Sequence, residues 1–362
     1  MSSRIPVLVD GRIFTLQDKG GISQLYAYVL ASPQWRRHLQ TWLLVYPGHE
    51  RNLHLQASGL LTADDVRVVP CPIPPSDNDN YNLPEHDRQR AEVVRATGCC
   101  FRAVVNTYYG ENVLPDCARY IVTGLDFAHE ELPELAERPS TSGVLRRKRL
   151  AFEQADWACF ISNASRERFF VHFPGYNRQR TSVIYLGHEP TRPQAPRVRN
   201  LVLHVGSRGL YKNFVVVAAA LRRLMEREGQ VRLLLLGGEP AEATVDALRR
   251  DFPSRVIFDP KPSDAAMDLA MASAWIYVSA SRYEGFGIPL LNAMRLGAHP
   301  VVSDIPVYRE VAGPHARYFD PCSADALHDA LVDALSCEPK PRRIWRTWDD
   351  VAAEYATLLC HG

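Results

Sequence analysis

The sequence lacks any long hydrophobic run: no stretch approaches the ~18 apolar residues that a membrane-spanning helix needs, and Met1 to Pro6 has no apolar core of the kind found in secretion signals. It also lacks an excess of charge, with a formal net charge of +1 at pH 7, which argues against a general nucleic-acid binder. Its eight cysteines contain no CxxC pair, and Cys99 beside Cys100 is poor geometry for an ordinary bridge. Reduced thiols in a cytoplasmic protein are therefore expected, with no metal site. What is present is ordinary for a folded protein: 362 residues, 46% hydrophobic and 23% charged, a length that favours two domains.

Short apolar runs alternate with helical patterns along the chain, the signature of an α/β protein with parallel sheets. Ile5 to Val9, Thr41 to Val45, Val66 to Val69, Ala103 to Asn106, Tyr120 to Thr123, Trp157 to Ser162 and Val183 to Leu186 read as strands of a first half. Asp10 to Lys19 reads as a loop ending in Gly20 and Gly21, ahead of a helix from Ile22 to Leu30. His188 to Asn200 carries three prolines and no apolar periodicity, and is the best linker in the chain. Leu201 to Val205, Arg232 to Leu236, Val256 to Phe258, Trp275 to Ser281 and Val301 to Ser303 then read as strands of a second half. The expected division is 1–189, a linker 190–200, a second domain 201–341, and a last helix in 342–362 that crosses back to the first.

The stretch YEGFGIPLLNAMRLGAHPVVSD, Tyr283 to Asp304, organises the rest. An apolar strand runs into a loop in which Gly285 and Gly287 flank Phe286, so a ligand can approach the main chain with no Cβ in the way. Pro289 suits the first position of a helix that Gly297 stops, and a helix start at a strand end favours an anion. A carboxylate there, Glu284, suits sugar hydroxyls better than phosphate; Asn292 follows eight residues later among Ile288, Leu291 and Met294. The plainer alternative is a capping glutamate and an asparagine at the edge of the core. Upstream, GSRGLYKN sets Gly206, Ser207, Arg208, Lys212 and Asn213 at a strand end, two cations suited to a diphosphate.

Together these residues resemble the retaining GT-B glycosyltransferases, specifically glycosyltransferase family 4, the bacterial mannosyltransferase-like group 1 enzymes. In that family a Glu, seven residues and a second Glu bracket the donor sugar and the nucleotide ribose. Here the first is Glu284 and the second is replaced by Asn292, which can still bond a ribose hydroxyl but lacks the charge and paired acceptors of a carboxylate. GGISQLYAYVL resembles the family's glycine-rich opening, with Gly20 and Gly21 facing the cleft, and GSRGLYKN resembles its lysine-asparagine step. The loop Asp259 to Pro262 matches the one that holds the base, largely through main chain. GLDFAHEELPE matches the segment near the donor sugar through Asp126, His129 and Glu130, with Leu125 where the family has an aromatic residue or His.

The resemblance implies two Rossmann-like domains facing a cleft. It also implies transfer of a sugar, with retention, from a nucleotide diphosphate sugar to a carbohydrate or lipid-linked acceptor, in polysaccharide, glycolipid or other glycoconjugate biosynthesis. No cofactor or metal is expected, since Arg208 and Lys212 would neutralise the leaving group. A sugar-nucleotide-binding subunit weakened at Leu125 and Asn292, and an epimerase or phosphorylase on the same architecture, are the competing readings. Asp77, Asn78 and Asp79 spell the DxD of GT-A enzymes, but in a proline-rich loop, where a solvated turn is the better reading. Arg146, Arg147, Lys148 and Arg149 are consecutive. A solvated basic helix is favoured over a patch touching anionic lipid at the inner face of the cell membrane.

Overall fold

The computed structural model describes residues 4–75, 84–114, 118–138, 141–189, 195–239, 242–338 and 346–361. It divides into unit 1, residues 1–187 with 346–362, and unit 2, residues 188–345. The DxD at 77–79 and residues 190–194 of the expected linker lie outside the described residues. The linker's last residues are already strand, because the first strand of unit 2 begins at Val198.

Unit 1 carries strands β1 (Ile5–Asp10), β2 (Leu39–Val45), β3 (Val66–Pro70), β4 (Ala103–Asn106), β5 (Arg119–Gly124), β6 (Trp157–Phe160) and β7 (Thr181–Val183). Among the described residues they form one sheet in the order β3-β2-β1-β4-β5-β6-β7, every pairing parallel. Strands covered on both faces need apolar side chains on both, and Val7, Leu8, Val104, Ile121 and Cys159 are accordingly buried. Chain order reverses between β1 and β4, so their carboxyl ends open a crevice of the kind that holds ligands in doubly wound sheets.

Beneath the last strands Phe152, Phe160, Phe169 and Phe173 pack ring on ring, Phe152 and Phe169 having centroids 4.7 Å apart. Phe127, the residue after Asp126, joins this cluster and so anchors the loop after β5. The final helix, Trp348–His361, belongs to unit 1. Trp348 stacks on Tyr28 at 5.7 Å, Ser32 donates to Asp349 at 2.6 Å, and the Tyr355 hydroxyl lies 3.1 Å from that of Thr123 on β5.

Unit 2 carries β8 (Val198–Val205), β9 (Arg232–Leu236), β10 (Val256–Asp259), β11 (Ala274–Ser279), β12 (His299–Ser303) and β13 (Arg317–Phe319), in the order β10-β9-β8-β11-β12-β13 and again parallel. Its helix Phe214–Arg227 shows why the pattern works: Phe214, Val217, Ala218, Leu221, Leu224 and Met225 fall on one face and are buried, while Val215 is left out in solvent. The reversal here is between β8 and β11, which brings the loop after Val205 beside the loop after Ser279.

Four local expectations are corrected. The loop Asp10 to Lys19 contains a helical turn, Ile13–Leu16, whose Ile13 and Phe14 are buried; one turn is too short to leave a periodic signal. The seventh strand is Thr181–Val183, ahead of the apolar run Val183 to Leu186. The edge strand β13 was not read from sequence because its three residues carry no run of their own. The run Arg146 to Arg149 is not solvated as a whole: Arg147 and Lys148 are 3% and 1% exposed, while Arg146 and Arg149 lie in solvent. The helix Thr141–Gln154 turns Arg147 and Lys148 into the fold and leaves Arg146 and Arg149 outside, so at most two of the four can face a surface.

Candidate active site

In unit 2 the site is built by two glycine turns. β8 ends at Gly206, whose φ of 104° lies where an L side chain is strained, and the N–H there bonds Leu236 O at 2.9 Å. Ser207 is exposed. Arg208 turns inward: Nε donates to Glu242 at 3.0 Å, Nη1 to Gly206 O at 3.1 Å and Nη2 to Gly237 O. Its guanidinium lies 4.8 Å from the Phe258 ring, and its side chain is 1% exposed. Arg208 therefore holds three segments of the loop region together.

Lys212, ending the turn Leu210–Lys212, stays a quarter exposed and donates from Nζ to Glu284 Oε1 at 2.7 Å. Asn213 takes the left-handed conformation (φ 57°) and donates its amide to Ala280 O at 3.2 Å and Pro321 O at 2.7 Å. The loop is thus pinned to the end of β11. Arg282 N–H on Tyr211 O at 2.8 Å makes a further tie.

Glu284 sits on the loop after β11, with Gly285 half-buried and Phe286 buried behind it. Gly287, φ 98°, begins the helix Ile288–Leu296, with Pro289 in its first turn and Gly297 (φ 99°) ending it. Conformation and space both require glycine at 287, since a Cβ would lie 2.8 Å from Tyr308 Cε1. The Tyr308 hydroxyl donates to Glu284 Oε1 at 3.3 Å and lies 2.9 Å from Ser279 Oγ. Burial, with Glu284 next in weight, holds the Tyr308 phenol well above its ordinary pKa. Ile288 and Asn292 are half-buried on the helix, and Pro262 is buried at the far end of the β10 loop. Under the loop, His204 is buried on β8, Nδ1–H donating to Val278 O at 3.1 Å. Burial first, then the nearby Arg208 and Lys212 against that hydrogen bond, pushes its pKa down to about 4. A cation and a carboxylate side by side, next to glycine backbone at a helix start, can together take an anion and a polyhydroxylated group.

In unit 1, Gly20 has extended backbone (φ 178°) at the start of the helix Gly21–Ala31, and Gly21 is exposed there. Leu125 is buried, its N–H donating to the Tyr109 hydroxyl at 3.1 Å. Asp126 accepts from Ala128 N–H at 3.1 Å, starting the short helix Ala128–Glu131 that carries His129. His129 is half-buried, and its pKa is lowered by desolvation and then by Lys148, against the carboxylates of Asp126 and Glu130.

The structure brings Arg208, Lys212, Glu284 and Gly287 together in unit 2, and Asp126, His129 and Glu130 together in unit 1. Glu242, Tyr308 and His204 were missed from sequence. A carboxylate 34 residues beyond Arg208 and a tyrosine 24 residues beyond Glu284 carry no local motif.

Residues 189–347 match the family model described as glycosyl transferases group 1. That match lies in the second unit and spans less than half of the chain, and the two parallel α/β sheets are those of the GT-B fold. It is 29% identical over 132 residues to the GDP-mannose:cellobiosyl-diphosphopolyprenol alpha-mannosyltransferase of Xanthomonas oryzae pv. oryzae (strain PXO99A), covering 35% of this chain and 33% of that one. It is 31% identical over 165 residues to the phosphatidyl-myo-inositol mannosyltransferase of Mycolicibacterium smegmatis (strain ATCC 700084 / mc(2)155), covering 44% and 38%. The matches thus span little more than a third of these curated relatives. The solved structure of WaaG, a glycosyltransferase involved in lipopolysaccharide biosynthesis, superposes with a TM-score of 0.68 over 99% of this chain and all of that one, at 16% identity. At that identity the likeness is one of fold.

Proposed function

We propose that the protein is a retaining glycosyltransferase that moves a sugar from a nucleotide diphosphate sugar to an acceptor hydroxyl in glycoconjugate biosynthesis. The observation that carries this reading is the Lys212–Glu284 pair at 2.7 Å, set against the glycine backbone of 285–287 at a helix start. In it the bond from the sugar's anomeric carbon to the diphosphate breaks and a bond from that carbon to the acceptor oxygen forms on the same face. The acceptor's proton passes to the departing diphosphate oxygen. Lys212 stabilises the charge that appears on the diphosphate, Glu284 orders sugar hydroxyls, and Asn292 meets the ribose. Arg208 adds positive potential from below and keeps the loop carbonyls in place. Asp126 and His129 are assigned to the reacting sugar.

No metal enters this reading: the cations supply the charge compensation. The names of the mannosyltransferase relatives make GDP-mannose the first donor to try and a lipid-linked diphosphate or phosphoinositide the first acceptor. Calorimetric titration with nucleotide diphosphate sugars, followed by assay of released nucleotide diphosphate with and without acceptor and EDTA, tests it. Acceptor-dependent release that survives EDTA is expected. Heat of binding without turnover would identify a binding subunit instead, and loss of turnover restored by manganese would overturn the metal-free mechanism.

A further inference from the structure

The helix Thr141–Gln154 sends one lysine into the interior of unit 1. Lys148 is 1% exposed, and an ammonium held that far from water costs several kcal/mol unless it is paired and hydrogen-bonded. Its partners all belong to, or surround, one turn. Nζ donates to Glu130 Oε2 at 2.8 Å and to Asp126 O at 3.0 Å. The ring centroids of Phe127 and Tyr109 lie 4.9 and 5.0 Å away and close the remaining sides. Asp126 and Glu130 bracket the start and end of the turn that carries His129, so the lysine fastens that turn at both ends.

We propose that Lys148 is a positioning residue that clamps the Asp126–Glu130 turn at the end of β5 and, as the cation buried behind that turn, adds to burial in opposing a charge on His129. The charged groups acting on the imidazole are Asp126 and Glu130 from its own turn, Lys148 from the helix behind, and Arg138 beyond the following turn. Glu131 is engaged elsewhere, with Arg168 at 2.6 Å and His172 at 2.5 Å. Left to the two carboxylates, His129 would hold its proton more tightly than free imidazole; burial opposes them first and Lys148 second, and the pKa is lowered. At neutral pH the ring is then uncharged and able to accept a proton or a hydrogen bond. The catalytic meaning of this clamp rests on the reading above, but the clamp itself does not.

The test is therefore a titration and not an assay. His129 is followed by NMR in protein with ring-labelled histidine, its signal assigned by loss in His129→Gln. A midpoint below 6.5 is expected in the native protein, rising by on the order of one pH unit in Lys148→Met and staying low in Lys148→Arg. A folded Lys148→Met variant with an unchanged midpoint would overturn the proposal. Should Lys148→Met not fold, Glu130→Gln decides the matter: with one carboxylate removed and the lysine charge retained, the midpoint must fall, and a midpoint that holds or rises overturns the proposal. If the midpoints shift as expected but no sugar is transferred under any donor, the clamp stands and the proposed function falls.

Discussion

The two strand-end sites use the same device with different reach. In unit 2 a buried arginine, Arg208, gathers the carbonyls of Gly206 and Gly237, while four residues on Lys212 reaches a more exposed position against Glu284. In unit 1 a buried lysine, Lys148, gathers Asp126 and Glu130, while His129 sits half-exposed on the turn they define. Each site pairs a hidden cation that fixes the backbone with an accessible group able to meet a ligand. The difference is distance along the chain. Arg208 and Lys212 come from one loop, whereas Lys148 arrives from a helix 18 residues after Glu130. A buried cation and an exposed one close together in sequence look alike before folding, and they should fail differently when removed.

The largest effect expected is therefore on stability and comes from Arg208→Ala. It leaves Glu242, 18% exposed, without its partner, and breaking such a pair costs about 3–4 kcal/mol. Denaturant unfolding should show the loss as a lower midpoint with an unchanged slope. A fold as stable as the native one would mean that the guanidinium is not a structural centre.

A second effect, of about 3 kcal/mol at most, belongs to His204, whose pKa is pushed from 6.5 to about 4. The unfolded chain takes up a proton at this residue below pH 6.5 and the folded one does not until about pH 4. This contribution to stability is complete above 6.5 and is lost as the pH falls from there to about 4. His204→Gln keeps a donor for Val278 O and should flatten the acid limb of the stability profile; a limb of unchanged slope would place the titration elsewhere.

The smallest expected effect separates the ribose contact from the reacting centre. Asn292→Ala should raise the donor KM by a factor equivalent to roughly 0.5–1.5 kcal/mol, the worth of one hydrogen bond, with kcat little changed. Asn292→Glu should be tolerated or bind donor more tightly. If both variants leave donor affinity alone and lower stability, Asn292 is a helix-packing residue.

Much of this architecture was legible from the chain. Parallel strands buried on both faces write themselves as unbroken apolar runs, so eleven of the thirteen strands among the described residues stood out, and the glycines at 206 and 287 marked the turns that carry the unit 2 site. What was not legible depends on contacts between distant segments. Arg208 and Lys212 read as equal partners because nothing nearby announces that Glu242 will bury the first and Glu284 will hold the second at the surface. Lys148 was hidden among four consecutive basic residues, where only the helix's orientation decides which points inward. Tyr308, which both excludes a side chain at 287 and touches Glu284, sits on the helix Pro306–Ala312 with no motif around it.

The central claim is that Lys212, and not merely the loop that carries it, stabilises a departing diphosphate. Single-turnover kinetics of Lys212→Ala with a donor that supports transfer tests this most directly, with thermal unfolding measured on the same preparation. The account predicts a rate lower by on the order of 10², the scale of one lost charge stabiliser, at an unfolding midpoint close to the native one. A native rate in a folded Lys212→Ala protein would contradict it.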